Sequence, residues 1–165
     1  HIHYCKYHVY ADDIQVYISC RPSETQTAVN KINKDLESIA TWSEDNSLVL
    51  NGNKSKFMIL GSRNQILKIS ENDLRVSIRG EVVERVNVAR NLGLLMDDEL
   101  RFEAHIGNVA SNCFYRLKVL YQIRDSLSTN IRIRLCDSLI LSKFNYMDIV
   151  YGPRLLARTQ KLIQR

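Results

Sequence analysis

Tyr7-His8-Val9-Tyr10-Ala11-Asp12-Asp13-Ile14-Gln15-Val16-Tyr17 is the stretch from which the fold is read. Tyr, Val and Ile on either side favour extended chain, and Ala11-Asp12-Asp13 interrupts them, so two short strands within Tyr4 to Ser19 are predicted to form a hairpin with an acidic tip. Two adjacent carboxylates on such a turn cannot both be buried against apolar core, because an unpaired buried carboxylate costs too much; they face water, cations or basic groups. Hard oxygen ligands converging on a point favour Mg²⁺, and two such ions can hold the attacking and leaving oxygens of a phosphoryl transfer. Side chains alternate along extended chain, so Asp12 is expected as the direct ligand and Asp13 as a weaker, outer one. Taken as a bare dipeptide, Asp-Asp is an ordinary exposed turn, and only its context can say more.

Downstream, Ser23 followed by Gln26 reads as a capping box. Ala28, Ile32, Leu36, Ile39 and Trp42 then recur at helical spacing to about Asp45. Leu48 and Leu50, a turn at Asn51-Gly52-Asn53, and Phe57 to Leu60 predict strand, turn and strand. Residues 61–73 are polar and punctuated by Gly61, Ser62 and Asn64, as in a loop. Leu74, Val76 and Ile78 before Gly80, with Val82, Val83 and Val86 after it, predict a second hairpin. A last strand, Asn91 to Met96, ends at the acidic turn Asp97-Asp98-Glu99. Beyond it the period is helical: Ile106, Val109, Ala110, Cys113, Leu117, Leu120 and Tyr121 mark one face of a long helix. Ser128 caps a second helix running to Ser142, and residues 154–165 begin a third behind Pro153.

The chain's 165 residues, 45% hydrophobic and 25% charged with six Gly and two Pro, suit a packed protein rather than a disordered one. No run approaches a membrane span and His1 to Lys6 lack the plan of a signal peptide, so an intracellular protein with no membrane partner is expected. Cys5, Cys20, Cys113 and Cys136 show no zinc spacing and are expected as reduced, mostly buried thiols. The charge is uneven. Residues 1–100 carry 12 basic and 14 acidic side chains, whereas residues 101–165 carry 11 and 4, a net of −2 against +7. A basic helical tail suits a polyanion such as nucleic acid, and the boundary between domains is placed at residue 100. The first residue is not Met and both ends fall inside patterned runs, so both look cut.

Tyr10-Ala11-Asp12-Asp13 between apolar strands resembles the signature hairpin of reverse transcriptases. Trp42, Asn46, Leu48, Leu50-Asn51, Lys54-Ser55-Lys56, Met58 and Leu60-Gly61-Ser62 are similar, in order, to the helix exit and lysine-bearing turn of the palm in non-LTR retrotransposons. Asn91-Leu92-Gly93 with Asp97, Leu100, Phe102 and His105-Ile106 is similar to the next block and first thumb helix. Ser142, Tyr146 and Tyr151-Gly152 resemble thumb residues of jockey-like elements. The spaced series, which covers nearly the whole chain, carries the resemblance; no single motif does.

The resemblance implies an α+β fold: a partial right-hand polymerase palm, an antiparallel sheet with one packed helix, over residues 1–100, then all-helical thumb over residues 101–165. It implies an RNA-directed DNA polymerase that extends a DNA primer on an RNA template from deoxynucleoside triphosphates, with Mg²⁺ or Mn²⁺ as cofactor. Asp12 and Asp13 would be catalytic metal ligands, with Tyr10 and Ala11 beside the bound cofactor. Lys54 would lie near the leaving pyrophosphate as a positioned cation or acid; from the residues alone it reads first as an exposed turn lysine, and the resemblance brings the two readings level. The family's earlier aspartate strand and nucleotide-pocket helix do not precede His1. The missing N-terminal palm and fingers of the same polyprotein are therefore an expected partner, and a fragment inactive alone is expected. The alternative is a non-catalytic nucleic-acid-binding remnant of a mobile element.

Arg101, Arg116, Lys118 and Arg124, with Arg132 and Arg134, are the basic residues of the first two thumb helices. They are candidates for phosphate contacts that set affinity without reading sequence. Arg116 and Lys118, two residues apart, cannot share one helix face. Phe102, Phe114, Tyr115 and Tyr121 are expected in the core rather than stacked on bases. His8 and His105 have no ligand partner at helical spacing and are expected to be structural.

Overall fold

The computed structural model describes residues 2–70 and 74–163 and divides the chain into two compact units, His1–Asn87 and Val88–Arg165. The expected loop residues Glu71 to Asp73 and the helix end at Gln164 and Arg165 lie outside the described residues. The fold is mixed α+β, with small antiparallel sheets and several helices. The strands do not join into the single antiparallel sheet expected. Among the described residues they form four two-stranded ladders, three antiparallel and one parallel. Three of these ladders are two to four residues long.

In the first unit, β1 (Lys6–Tyr10) and β2 (Asp13–Tyr17) form the expected hairpin. A 3₁₀ turn, Pro22–Glu24, leads into α1 (Thr25–Asp45). The anticipated Ser23 cap does not form. Glu24 instead reaches back to the Arg21 N–H at 3.2 Å, because the 3₁₀ turn moves the entry upstream. Helix α1 ends as a Schellman motif around Ser47 at φ +56, with Leu48 N–H donating to Ser43 O at 2.8 Å and Ser47 N–H to Glu44 O at 2.9 Å. Ser43 Oγ also donates to Leu48 O at 2.9 Å. Both backbone groups of Leu48 are thereby engaged with the helix end, so the strand expected at Leu48 to Leu50 is absent and Val49 lies 94% exposed.

After a 3₁₀ turn at Gly52–Lys54, β3 (Lys56–Phe57) pairs in parallel with β6 (Glu84–Arg85). Within the stretch expected as loop lies a one-turn helix, α2 (Arg63–Ile66). The second hairpin is β4 (Ser77–Ile78) and β5 (Glu81–Val82), turned at Arg79 and Gly80 with φ +51 and +80, the sign pair of a two-residue mirror-image turn. Val29, Leu74, Val76 and Val83 make the core of this unit, with Ile32, Leu36 and Phe57 against them. Polar clamps hold α1 to the β4–β5 hairpin. Asn33 donates to Arg75 O and accepts from Ser77 N–H, both at 3.0 Å, and Arg79 pairs with Glu37 and Glu44.

In the second unit, β7 (Val88–Asn91) and β8 (Leu94–Asp97) form a hairpin where one strand was expected. It groups with the helices, ahead of the change of composition near residue 100, because Leu94 is buried with Phe102, Ile106 and Tyr151. Asp97 then organises the entry to α3 (Glu103–Gln122): its carboxylate accepts from the backbone N–H groups of Glu99, Arg101 and Phe102 at 3.1, 2.9 and 2.6 Å. Those bonds offset the left-handed backbone of Leu100 and Phe102. Ser128 caps α4 (Thr129–Cys136) as expected, accepting from Ile131 N–H at 3.4 Å. A π-helical turn, Asp137–Leu141, joins it to α5 (Ser142–Asn145). The last helices are α6 (Asp148–Tyr151) and α7 (Ala157–Ile163). No helix among the described residues is long and apolar enough to cross a membrane.

Candidate functional site

The register Tyr10↔Asp13 closes the β1–β2 hairpin with a two-residue loop, so Ala11 and Asp12 are its central residues and Asp13 opens β2. Ala11 takes φ +53, the sign that the first central position of such a turn requires, at a cost of roughly 1–2 kcal/mol for a residue with a Cβ. Tyr10, Ala11, Asp12 and Asp13 are all exposed. The acidic pair is thus at the solvent-facing tip of a β-ribbon. Below the tip His8 is structural, as expected: its ring stacks on Tyr17 at 5.4 Å and its Nε2 meets the Tyr17 hydroxyl at 3.1 Å.

A two-stranded ribbon is marginal by itself, and this one buries none of its ten strand residues. Its anchor is Asp35, a residue passed over in the sequence. Asp35 sits in the buried stripe of α1 with Thr25, Ala28 and Ile39, at 1% exposure. Its carboxylate accepts from three successive N–H groups at the foot of β1: His3 at 2.9 Å, Tyr4 at 2.9 Å and Cys5 at 2.7 Å. Burial alone would raise the carboxyl's pKa; the three backbone donors and the Cys5 thiol outweigh it and hold the group below the usual carboxylate range. The same neighbourhood pushes the Cys5 thiol up to about 12, first through burial and then through its hydrogen bond to Asp35, so this sulfur stays protonated. The available signal was a single acid at the spacing of an otherwise apolar stripe.

Lys54 is exposed at the end of its 3₁₀ turn, where its N–H donates to Asn51 Oδ1 at 3.2 Å. None of the ion pairs among the described residues joins it to Asp12 or Asp13. In the second unit Arg101 pairs with Glu99 at 2.5 Å. Arg116 donates to Leu139 O at 2.8 Å, engaging a carbonyl of the π turn. Lys118 is exposed, and Arg124 lies over the Tyr121 ring at 4.0 Å. Arg116 and Lys118 therefore serve different surroundings.

The expectation of core aromatics holds for Phe102 but is corrected for Phe114, Tyr115 and Tyr121, which are 54, 70 and 67% exposed. Phe114 and Tyr115 miss the buried stripe of α3, which runs through Ile106, Ala110 and Cys113, and Tyr121 lies beyond its end. The four thiols are free, yet only Cys113 is buried, and Cys20 lies exposed in the connection after β2. His105 is structural: Leu95 N–H donates to its Nδ1 at 3.3 Å, so Nε2 carries the proton, and burial followed by the charge of Arg90 lowers its pKa. Tyr146 donates to Leu92 O at 2.6 Å, tying α5's end to the turn of the β7–β8 hairpin.

As a donor set, Asp12 and Asp13 fit a magnesium ion, which is commonly held by one or two carboxylates with water and substrate oxygens completing its shell. Among the described residues no three His, Cys, Asp or Glu side chains gather into a metal site, so the pair would provide a partial shell. Compared with protein-family models, curated proteins and solved structures, the chain matches none.

Proposed function

We propose that this chain is the later palm and first thumb helices of an RNA-directed DNA polymerase of the non-LTR, jockey-like retrotransposon kind. The observation that carries the reading is the Tyr10-Ala11-Asp12-Asp13 tip: two solvent-facing carboxylates on a two-residue turn between paired strands. The spaced residues downstream of it support the same reading. In it, Asp12 holds a divalent cation directly and Asp13 acts from the outer position, while Tyr10 and Ala11 lie beside that cofactor. When bound, Mg²⁺ neutralises charge on the transferring phosphoryl oxygens. Lys54 offers a cation and a proton toward the leaving pyrophosphate. A subset of the cations of the second unit contacts template and primer phosphates. Nucleotidyl transfer of this kind draws on a further carboxylate besides the pair, so the reaction belongs to the chain joined to the segment that supplies it.

The test is primer extension on an RNA template with Mg²⁺, using the reading frame extended to include that earlier aspartate strand. Asp12→Ala should lower extension by about a hundredfold or more while leaving the thermal unfolding midpoint in place. Extension at the unsubstituted rate would reject the assignment. A second reading, a binding module without catalysis, is favoured by one separate observation: the exposed aromatics of α3 lie among cations.

A further inference from the structure

The C-terminal half of α3 carries Phe114, Leu117, Lys118 and Tyr121 at i, i+3, i+4 and i+7, a single stripe adjacent to the buried one. This stripe forms one wall of a groove of about 560 Å³, and Arg132 and Cys136 of α4 line it from the other helix. The groove is open to solvent and its lining is chiefly apolar. Three cations line the groove, Lys118, Arg124 and Arg132, and no carboxylate does. Asp125 lies beside it, 3.6 Å from Arg124 Nε. The Arg124 guanidinium is held over the Tyr121 ring at 4.0 Å, and its Nη1 donates to Tyr121 O at 2.9 Å. A planar cation is thus fixed on a planar ring at the groove's edge.

We infer that this groove stacks unpaired bases of a single-stranded nucleic acid. An occupant must present flat apolar faces to Phe114, Tyr121 and Arg124 and negative charge to Lys118 and Arg132. Bases joined by phosphates do both at the spacing of one strand. A duplex offers phosphates but keeps its base faces covered, and an acidic peptide offers charge without a run of π faces. The inference rests on the reading of the second unit as a nucleic-acid-handling element and names the form of nucleic acid it takes there. It is independent of whether Asp12 and Asp13 hold a metal.

The experiment uses the full chain and a labelled oligo-uridylate of about 12 nucleotides carrying 2-aminopurine, with no divalent metal or nucleotide present. Anisotropy reports binding, and quenching of the 2-aminopurine reports stacking. Tyr121→Leu and Phe114→Leu keep apolar bulk at exposed positions, and their unfolding midpoints check that the fold is retained. Each should weaken binding by about tenfold and reduce the quenching, since loss of one stacked base has an effect of that order. Lys118→Ala should lower the salt dependence by about one phosphate contact with quenching retained. The two readings fail separately: primer extension unaffected by Asp12→Ala in the extended reading frame rejects the polymerase reading and says nothing of this groove, whereas leucine variants that bind and quench as the unsubstituted chain does reject this one. Equal binding of a duplex of the same length, wild-type quenching in both leucine variants, or no binding of the oligonucleotide with capture of an acidic peptide instead would each overturn the inference.

Discussion

Asp35→Ala is expected to destabilise the first unit by roughly 3 kcal/mol or more, read from denaturant unfolding, because it leaves three backbone N–H groups without their acceptor. The loss should be largest at β1. Amide exchange of His3, Tyr4 and Cys5 should become fast, and the ribbon bearing Asp12 and Asp13 should lose its foothold on α1. Acid should have a related effect with a definite sign. The folded Asp35 carboxyl titrates below its unfolded value, so its contribution is fully present above the unfolded value of about 3.9 and is lost as pH falls through the lower, folded value. Asp35→Asn keeps an acceptor but not the charge, and should both reduce stability and flatten that acid limb. An Asp35→Ala chain with an unchanged midpoint and protected amides at residues 3–5 would show that the ribbon is held some other way.

Ile106→Ala is expected to cost the second unit roughly 2–5 kcal/mol, the range for emptying a fully buried aliphatic site. Ile106 is 0% exposed and lies among Leu94, Phe102 and Tyr151, contributed by β8, the entry to α3, and α6. Leu94 and Phe102 lie near Ile106 in the sequence and Tyr151 comes from a later helix, so the site is closed by local and distant elements together. Thermal unfolding followed by Tyr and Phe near-ultraviolet circular dichroism would measure it, and a loss below about 1 kcal/mol would contradict the packing described.

The parts of the fold written in local chemistry could be read directly. The β1–β2 hairpin follows from apolar strands around a polar turn, α1 from a clean 3.6-residue period, and the α4 cap from Ser128. Other parts depended on partners that no local pattern names. Leu48 and Leu50 alternate like a strand, but the hydroxyl and carbonyl of Ser43 take both backbone groups of Leu48. The turn of the β7–β8 hairpin places Leu92 at φ +46 before Gly93, and a leucine in that conformation carries no turn signal. Its support comes from Tyr146, more than fifty residues later.

The site divides in the same way. The exposed placement of Asp12 and Asp13 at the hairpin tip was legible because an acidic pair between apolar strands has few places to go. Asp35 was not, since a buried carboxylate satisfied by main-chain donors looks in sequence like an interruption of an apolar face. The exposed aromatics of α3 were misread for two reasons: Phe114 falls one position off the stripe that packs, about 100° of rotation, and Tyr121 lies beyond Cys113, where the buried stripe ends.

The measurement nearest the central claim is paramagnetic broadening of backbone amide signals by Mn²⁺ added to the whole chain. Broadening should centre on Tyr10 to Ile14 and vanish when Asp12→Asn and Asp13→Asn are combined. Broadening centred elsewhere, or the same pattern in the doubly substituted chain, would contradict the assignment of the hairpin tip as a cation site.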